Sequence, residues 1–317
     1  MSIVLTGSIA YDYLMTFPGR FREHILPDQL DRLSLSFLVD TMVKRRGGIA
    51  ANIAYTLALL GERPVVMATV GEDFEDYRAW LGSKGVDTSN IRTIPGLFTA
   101  SFFVNTDLSN AQIASFYTGA MARAAELRFA DLPETPTLAV ISANDPGAMQ
   151  AYIRECRTLG IPYVYDPSQQ VVRTDAASLK EGIEGCQSLF GNDYEFGLIR
   201  EKTGLTVADI SRTANFVVMT CGEAGARVFA GGQEIRVPAV APAALIDPTG
   251  VGDAFRGGFL KGYIHDLDLE CCARMGALAA TYCLEAQGTQ GHEFDLPAFI
   301  ARFRQHFDDA GELNRLR

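Results

Sequence analysis

The chain has little cysteine or histidine, and what it has is not grouped for chemistry. Its six cysteines (Cys156, Cys186, Cys221, Cys271, Cys272 and Cys283) form no CxxC pair, and its four histidines are scattered. That pattern argues against a zinc site or a disulfide framework and favours free thiols in a reducing cytoplasm. No run of about eighteen uninterrupted apolar residues occurs, so no membrane span is expected. The start of the chain lacks the basic segment and long apolar core of a signal peptide, which also points to a cytoplasmic location. The common nucleotide signatures are missing as well. There is no G-x-x-x-x-G-K-[ST] and no H-R-D, so the chain is neither a P-loop enzyme nor a protein kinase. Gly250-Val251-Gly252 continues with Asp, Ala and Phe, so the dinucleotide fingerprint G-x-G-x-x-G fails too. A net charge of −10 disfavours non-specific binding to nucleic acid or to an anionic membrane. It does not exclude ATP, whose phosphates need only a local positive field and Mg²⁺.

What is present is an ordinary globular composition, 48% hydrophobic and 21% charged over 317 residues. That length buries a sizeable core as one domain, or as a domain with a lid. The stretch Asp247-Pro248-Thr249-Gly250-Val251-Gly252-Asp253-Ala254-Phe255 reads as a loop running into a helix. Glycines without a Cβ let successive N–H groups approach an anion, and the free amides and positive dipole end of a helix point the same way. Asp253 lies at the mouth of that pocket. A carboxylate base beside a cradle for negative charge is what phosphoryl transfer to a hydroxyl requires. The plainer alternative is a helix cap preceded by turn glycines, and these nine residues alone leave the two readings open.

Along the chain, Ile3-Val4-Leu5 begins a buried strand, and Asp12 follows its exit, where sugar hydroxyls would be met in an open α/β sheet. Residues 13–17, 33–37 and 40–43 read as short alternating strands of a small separate sheet, joined by a hairpin over 99–105 and 111–117. The basic run Lys44-Arg45-Arg46 reads as a solvated face. Gly47-Gly48 opens an alanine-rich helix carrying Asn52, a donor and an acceptor in one side chain. From Leu138 onward, apolar strands alternate with helices, as in a parallel sheet covered on both faces. Asp166-Pro167 ends one strand, Asn192-Asp193-Tyr194-Glu195 follows another, and Thr220-Cys221-Gly222-Glu223-Ala224-Gly225 follows a third. Asn192 and Glu195 also suit a helix N-cap with an acidic first turn.

The stretch 247–255 resembles the C-terminal signature of the PfkB (ribokinase-like) kinases, in the variant found in bacterial adenosine kinases, which share Pro248 and Val251. Gly47-Gly48 with Asn52 resembles the N-terminal signature of the same family. The resemblance covers nearly the whole chain. It implies an α/β fold, a ribokinase-like mostly parallel sheet flanked by helices, with a small β-lid from segments near 12–46 and 98–118. It implies that Asp253 is the general base and that Gly250, Val251 and Gly252 form the anion hole. Ser8, Asp12, Ser36, Gly48 and Asn52 would contact the sugar. Phe102 and Phe116 would stack on a purine, with Gln169 and Arg173 as further substrate contacts. Asn192, Thr220, Gly222 and Gly225 would face the nucleotide, and Glu195 would position Mg²⁺ through water. In family members that bind K⁺, oxygens matching Asp247 and Thr249 help ligate it, and Gly288-Thr289-Gln290 resembles the loop near the adenine and that cation. The implied activity is adenosine 5′-phosphorylation from ATP, in purine salvage, by a homodimer paired through its lids. The readings held beside it are a kinase for another nucleoside or a sugar (inosine, guanosine, ribose or fructose) and a non-catalytic nucleoside-binding regulator.

Overall fold

The computed structural model describes residues 2–32 and 34–316. Strand β1 (Ile3–Thr6) is buried at every position. Next come β2 (Ala10–Thr16), β3 (Thr41–Gly47), α1 (Ile49–Leu59), β4 (Val65–Val70), α2 (Glu75–Ser83) and β5 (Ile91–Thr93). The hairpin of β6 (Ala100–Thr106) and β7 (Gln112–Tyr117) precedes β8 (Leu138–Ser142). The second half runs α3 (Pro146–Leu159), β9 (Tyr163–Asp166), α4 (Ala176–Ile183), β10 (Ser188–Asn192), α5 (Asp193–Thr203), α6 (Val207–Ile210) and β11 (Phe216–Thr220). After the hairpin β12 (Ala226–Ala230) and β13 (Gln233–Val237) come α7 (Val251–Ile264), α8 (Leu269–Leu284) and α9 (Leu296–His306).

Strands with continuous apolar sequence can be covered on both faces, and here they are. The large sheet has the order β13-β12-β11-β10-β9-β8-β1-β4-β5. It is parallel from β11 to β5, and β12 and β13 are added antiparallel. Ile3, Leu5 and Val140 face a core shared with α1, α2, α7, α8 and α9. Val4, Ala139 and Ile141 face the other core, built on α3, α4 and α5. Strand β1 pairs with β4 on one side and β8 on the other, so the strand order reverses beside it. At such a switch point the carboxyl ends of the strands open a crevice. Because these strands are parallel, Ser8, Asn144, Asp166, Asn192 and Thr220 all arrive at that one edge.

Helix α7 sits unusually close to its neighbours. A Cβ on Gly258 would lie 2.5 Å from the Met275 carbonyl, and one on Gly257 would lie 2.6 Å from Thr56 Cβ. Interior helix glycines cost up to about 1 kcal/mol each relative to alanine. Here they allow α7 to lie flush against α1 and α8, which fixes where its N-terminus points.

The second sheet has the order β3-β2-β6-β7, with β2 and β6 parallel and the outer pairs antiparallel. This is the expected small β-lid, with three corrections. Residues 34–39 form no strand, and Leu33 lies outside the described residues. Both edges of β2 are taken, one by β3 and the other by β6, so that segment has no place beside β2. Asp12 lies within lid strand β2, not on a loop at the exit of β1. Lys44-Arg45-Arg46 lies inside β3, and only Lys44 is exposed; Arg45 and Arg46 are half-buried against the site.

Candidate active site

Gly250 begins α7 at φ +80°, a conformation that L side chains rarely adopt, and a Cβ there would meet Thr289 Cβ at 2.8 Å. No side chain caps this helix, so the amides of its first turn stay available to an anion. Asp253, within that turn, is only 17% exposed at its side chain. Its Oδ2 accepts a 2.8 Å hydrogen bond from Asn52 Nδ2, and its Oδ1 lies 3.9 Å from Arg256 Nη1. Burial pushes the Asp253 carboxyl up to about 6, even though Arg256 and the Asn52 hydrogen bond oppose the rise. Such a group is ionised at neutral pH and still basic enough to take a proton, as a general base requires.

The neighbours of Asp253 are themselves held in place. Asn52 Oδ1 accepts from Gln290 Nε2 at 3.0 Å, and Gln290 Oε1 accepts from the Trp80 indole at 3.2 Å. That chain fixes which end of the Asn52 amide faces Asp253. On the other side, Arg256 is buried against Asp166, Nη2 to Oδ1 at 2.8 Å. Burial works against the charge on Arg256, but Asp166 and Asp253 outweigh it, so the guanidinium stays protonated beneath the glycine turn. A Cβ on Gly252 would lie 2.8 Å from Arg256 Nη1, which shows how near the turn that charge sits.

A cleft of about 490 Å³ lies between the lid and the loops, a size suited to a nucleoside. Asp12, Leu14, Arg45, Phe102 and Val104 line it from the lid, and Asp247, Thr249 and Thr289 border it from the loops. Asp12 and Phe102 are register partners on adjacent strands, as are Phe102 and Phe116, so all three share one lid face. Burial raises the Asp12 carboxyl, with Arg45 partly offsetting it. Gly48, at φ +97°, passes so close to β1's exit that a Cβ would sit 2.5 Å from the Ser8 carbonyl. Ser8 itself is buried, and its Oγ accepts from the Ile49 N–H at 3.2 Å, capping the start of α1.

At the carboxyl end of β10, Asn192 and Glu195 form a reciprocal capping box on α5, each side chain accepting from the other residue's N–H at 2.8 Å. The helix-cap alternative is therefore realised. Glu195 is buried, and burial together with nearby Asp166 raises its carboxyl above the usual range. Thr220 ends β11, and Gly222 (φ +55°) and Gly225 (φ +87°) shape the turn behind it. Asp247 accepts from Arg45 Nη1 at 2.7 Å and from the Gly288 and Thr249 amides at 3.0 Å.

Ser36, Gln169 and Arg173 are exposed, and among the described residues no side-chain hydrogen bond or ion pair ties them to this cluster. Sequence reasoning did not assign Arg45, Arg256 or Asp166 to the site, and it placed Gln290 only in the loop near the adenine and cation. A signal existed for Arg256, which stands three residues after Asp253 and so on the same helix face. None existed for Arg45, which meets Asp247 across 202 positions.

Residues 8–294 match the family model described as pfkB family carbohydrate kinase. A nucleoside kinase of Methanothermobacter thermautotrophicus is 30% identical over 311 residues, covering 95% of each chain. The solved nucleoside kinase of Burkholderia thailandensis, in complex with inosine, is 36% identical with a TM-score of 0.86, over 96% of this chain and 98% of that one. The Methanocaldococcus jannaschii nucleoside kinase structure is 26% identical, also with a TM-score of 0.86, over 96% and 99%. With a matching family model across most of its length and a glycine-turn-plus-aspartate site at the sheet's crevice, the chain belongs to the pfkB family of carbohydrate kinases.

Proposed function

We propose that the chain is an ATP-dependent nucleoside kinase acting on the 5′-hydroxyl, with adenosine as acceptor. The observation that carries the phosphotransfer is Asp253, half-buried, held by Asn52 and seated within the open amides of α7. The Asp253 carboxylate takes the 5′-hydroxyl proton as that oxygen bonds to the γ-phosphorus. The bond from the γ-phosphorus to the β,γ-bridging oxygen breaks, and ADP leaves. The amides of Val251, Gly252 and Asp253, with Arg256 behind them, receive the charge on the transferring group. Asp12, Gly48 and Asn52 fix the sugar, and lid closure excludes competing water. Asn192, Thr220, Gly222 and Gly225 form the wall for ATP.

Glu195 suits a hydrated divalent cation: its charged form is disfavoured by burial, and a nearby cation reverses that penalty. When bound, Mg²⁺ would neutralise phosphate charge there.

The base assignment rests on Phe102, which lines the cleft, and on Phe116, its register partner on β7. Phe102→Ala should weaken adenosine binding far more than ribose binding, measured by calorimetric titration of both; equal losses would mean that no base stacks there. Inosine is the second reading, favoured by the Burkholderia relative solved with it. ADP release with MgATP and adenosine, inosine, guanosine, cytidine, ribose or fructose decides among acceptors. Turnover confined to the sugars would overturn the nucleoside reading, and binding of adenosine without turnover would favour a regulator.

The lid also supports a homodimer. Strand β7 is exposed along its whole length, and the lid face turned from the cleft exposes Met42, Phe103, Ile113 and Tyr117. Open strand edges and apolar faces of this kind call for cover. Light scattering at micromolar concentration should give twice the 34.5 kDa chain mass; a monomer would count against pairing.

A further inference from the structure

The oxygens that the family resemblance offers to K⁺ are already engaged. Asp247 Oδ2 accepts from the Arg45 guanidinium at 2.7 Å and from the Gly288 amide at 3.0 Å. Asp247 Oδ1 accepts from the Thr249 amide at 3.0 Å, and the Thr249 carbonyl accepts from the Cys283 thiol at 3.4 Å. A bound K⁺ needs carboxylate and carbonyl oxygens turned toward it and free of competing donors. A guanidinium against the same carboxylate also repels a second cation. This donor set does not fit a resident K⁺.

Arg45 is built into this place. Its side chain is 22% exposed, and its Cδ lies 3.4 Å from where a Cβ on Gly288 would stand. The carbonyl of its strand neighbour Arg46 accepts from the Thr289 hydroxyl at 3.0 Å, so β3 is stitched to the 288–289 loop beside the ion pair. The other carboxylate facing Arg45 is Asp12, its register partner on β2. Burial alone would raise the Asp247 carboxyl, yet donation from Thr249, Gly288 and Arg45 carries it below the usual range.

We infer that Arg45 is the internal cation of the loop that leads into α7, a positioning residue whose guanidinium does for Asp247 what a monovalent cation would otherwise do. It orders residues 247–250, and through them the amides of 251–253, and it makes turnover independent of K⁺. This rests on the reading of that loop as an anion hole. It also means that the lid strand carrying Arg45 reports directly on the geometry beside the reacting phosphate.

The test compares the wild-type enzyme with Arg45→Met in choline chloride and in KCl at equal ionic strength, reading kcat, KM and the melting temperature. Wild type should show no K⁺-selective change in any of them. Arg45→Met should lose roughly tenfold to a hundredfold in kcat in choline, the worth of a hydrogen bond to a charged group, with a smaller change in KM. KCl, but not LiCl, should restore part of that kcat and raise the melting temperature of the variant, because Asp247 Oδ2 then loses its guanidinium partner and nothing repels an added cation there. A merely structural arginine would lower the melting temperature without K⁺ rescue. A K⁺ requirement in wild type, full kcat in the choline-treated variant, or a loss that K⁺ leaves untouched each overturns the inference. The melting readout needs no substrate. If no nucleoside is turned over, K⁺-selective stabilisation of Arg45→Met alone still upholds the role of Arg45 while the nucleoside-kinase reading fails.

Discussion

Asp253→Asn should keep the fold and lose turnover by about 10²- to 10⁴-fold, the usual worth of a general base. The substitution preserves shape and leaves an oxygen to accept from Asn52, so nucleoside affinity should change little. Near-normal turnover by this variant would remove Asp253 from the mechanism. The same residue sets the pH profile. Its carboxyl is pushed up to about 6 by burial, so kcat of the wild-type enzyme should fall as pH drops through that value and the base becomes protonated. Stability runs the opposite way. A carboxyl whose folded pKa is raised stabilises the fold fully below about 3.8, its unfolded value, and that contribution is lost as pH rises through about 6. At pH 7.5 the ionised Asp253 then costs up to about 3 kcal/mol, which the neutral asparagine removes. Urea melts at pH 7.5 should therefore show Asp253→Asn to be more stable than wild type, with the difference shrinking toward pH 4. An unchanged midpoint at both pH values would mean that burial does not strain this carboxylate.

Arg256→Met should destabilise the chain by about 3–5 kcal/mol, the typical cost of leaving one member of a buried ion pair alone. Asp166 is fully buried, and Arg256 supplies its only charge partner among the described residues. The double variant Asp166→Asn/Arg256→Met should recover much of the loss, because the orphaned charge is then gone. Denaturant unfolding of the two singles and the double measures this coupling. Additive losses would show that the pair is not a unit. Catalysis gives a second readout. Arg256 holds down the pKa of Asp253, so its removal should move the acidic limb of the rate profile to higher pH. If Arg256→Met proves too unstable to assay, Arg256→Lys keeps a charge, and its acidic limb should stay near that of wild type.

Much of this architecture was legible from residues near one another in the chain. Continuous apolar runs such as Leu138–Ser142 and Phe216–Thr220 became strands of the parallel sheet, because a strand covered on both faces must be apolar throughout. Gly250 and Gly252 ahead of Asp253 read as a turn that brings amides to an anion, and that requirement is local to a few residues. Residues 34–37 alternate like a strand and form none, because alternation reports only on a strand's faces. Whether an edge is free to pair depends on other strands, here β3 and β6, which had already enclosed β2.

The amino-acid sequence by itself determined the fold class, the glycine turn and aspartate of the candidate site, and the aromatic pair on the lid, since each follows from side-chain type at short spacing. Tertiary structure alone decided the charges around that centre. Arg45 reaches Asp247 across 202 positions, Arg45 and Arg46 turn from part of an apparent solvated run into a wall of the site, and Arg256 meets Asp166 across 90. Electrostatic partners are chosen by distance in space and by how far burial removes them from water. Neither quantity exists until the sheet has closed and α7 has been seated against it.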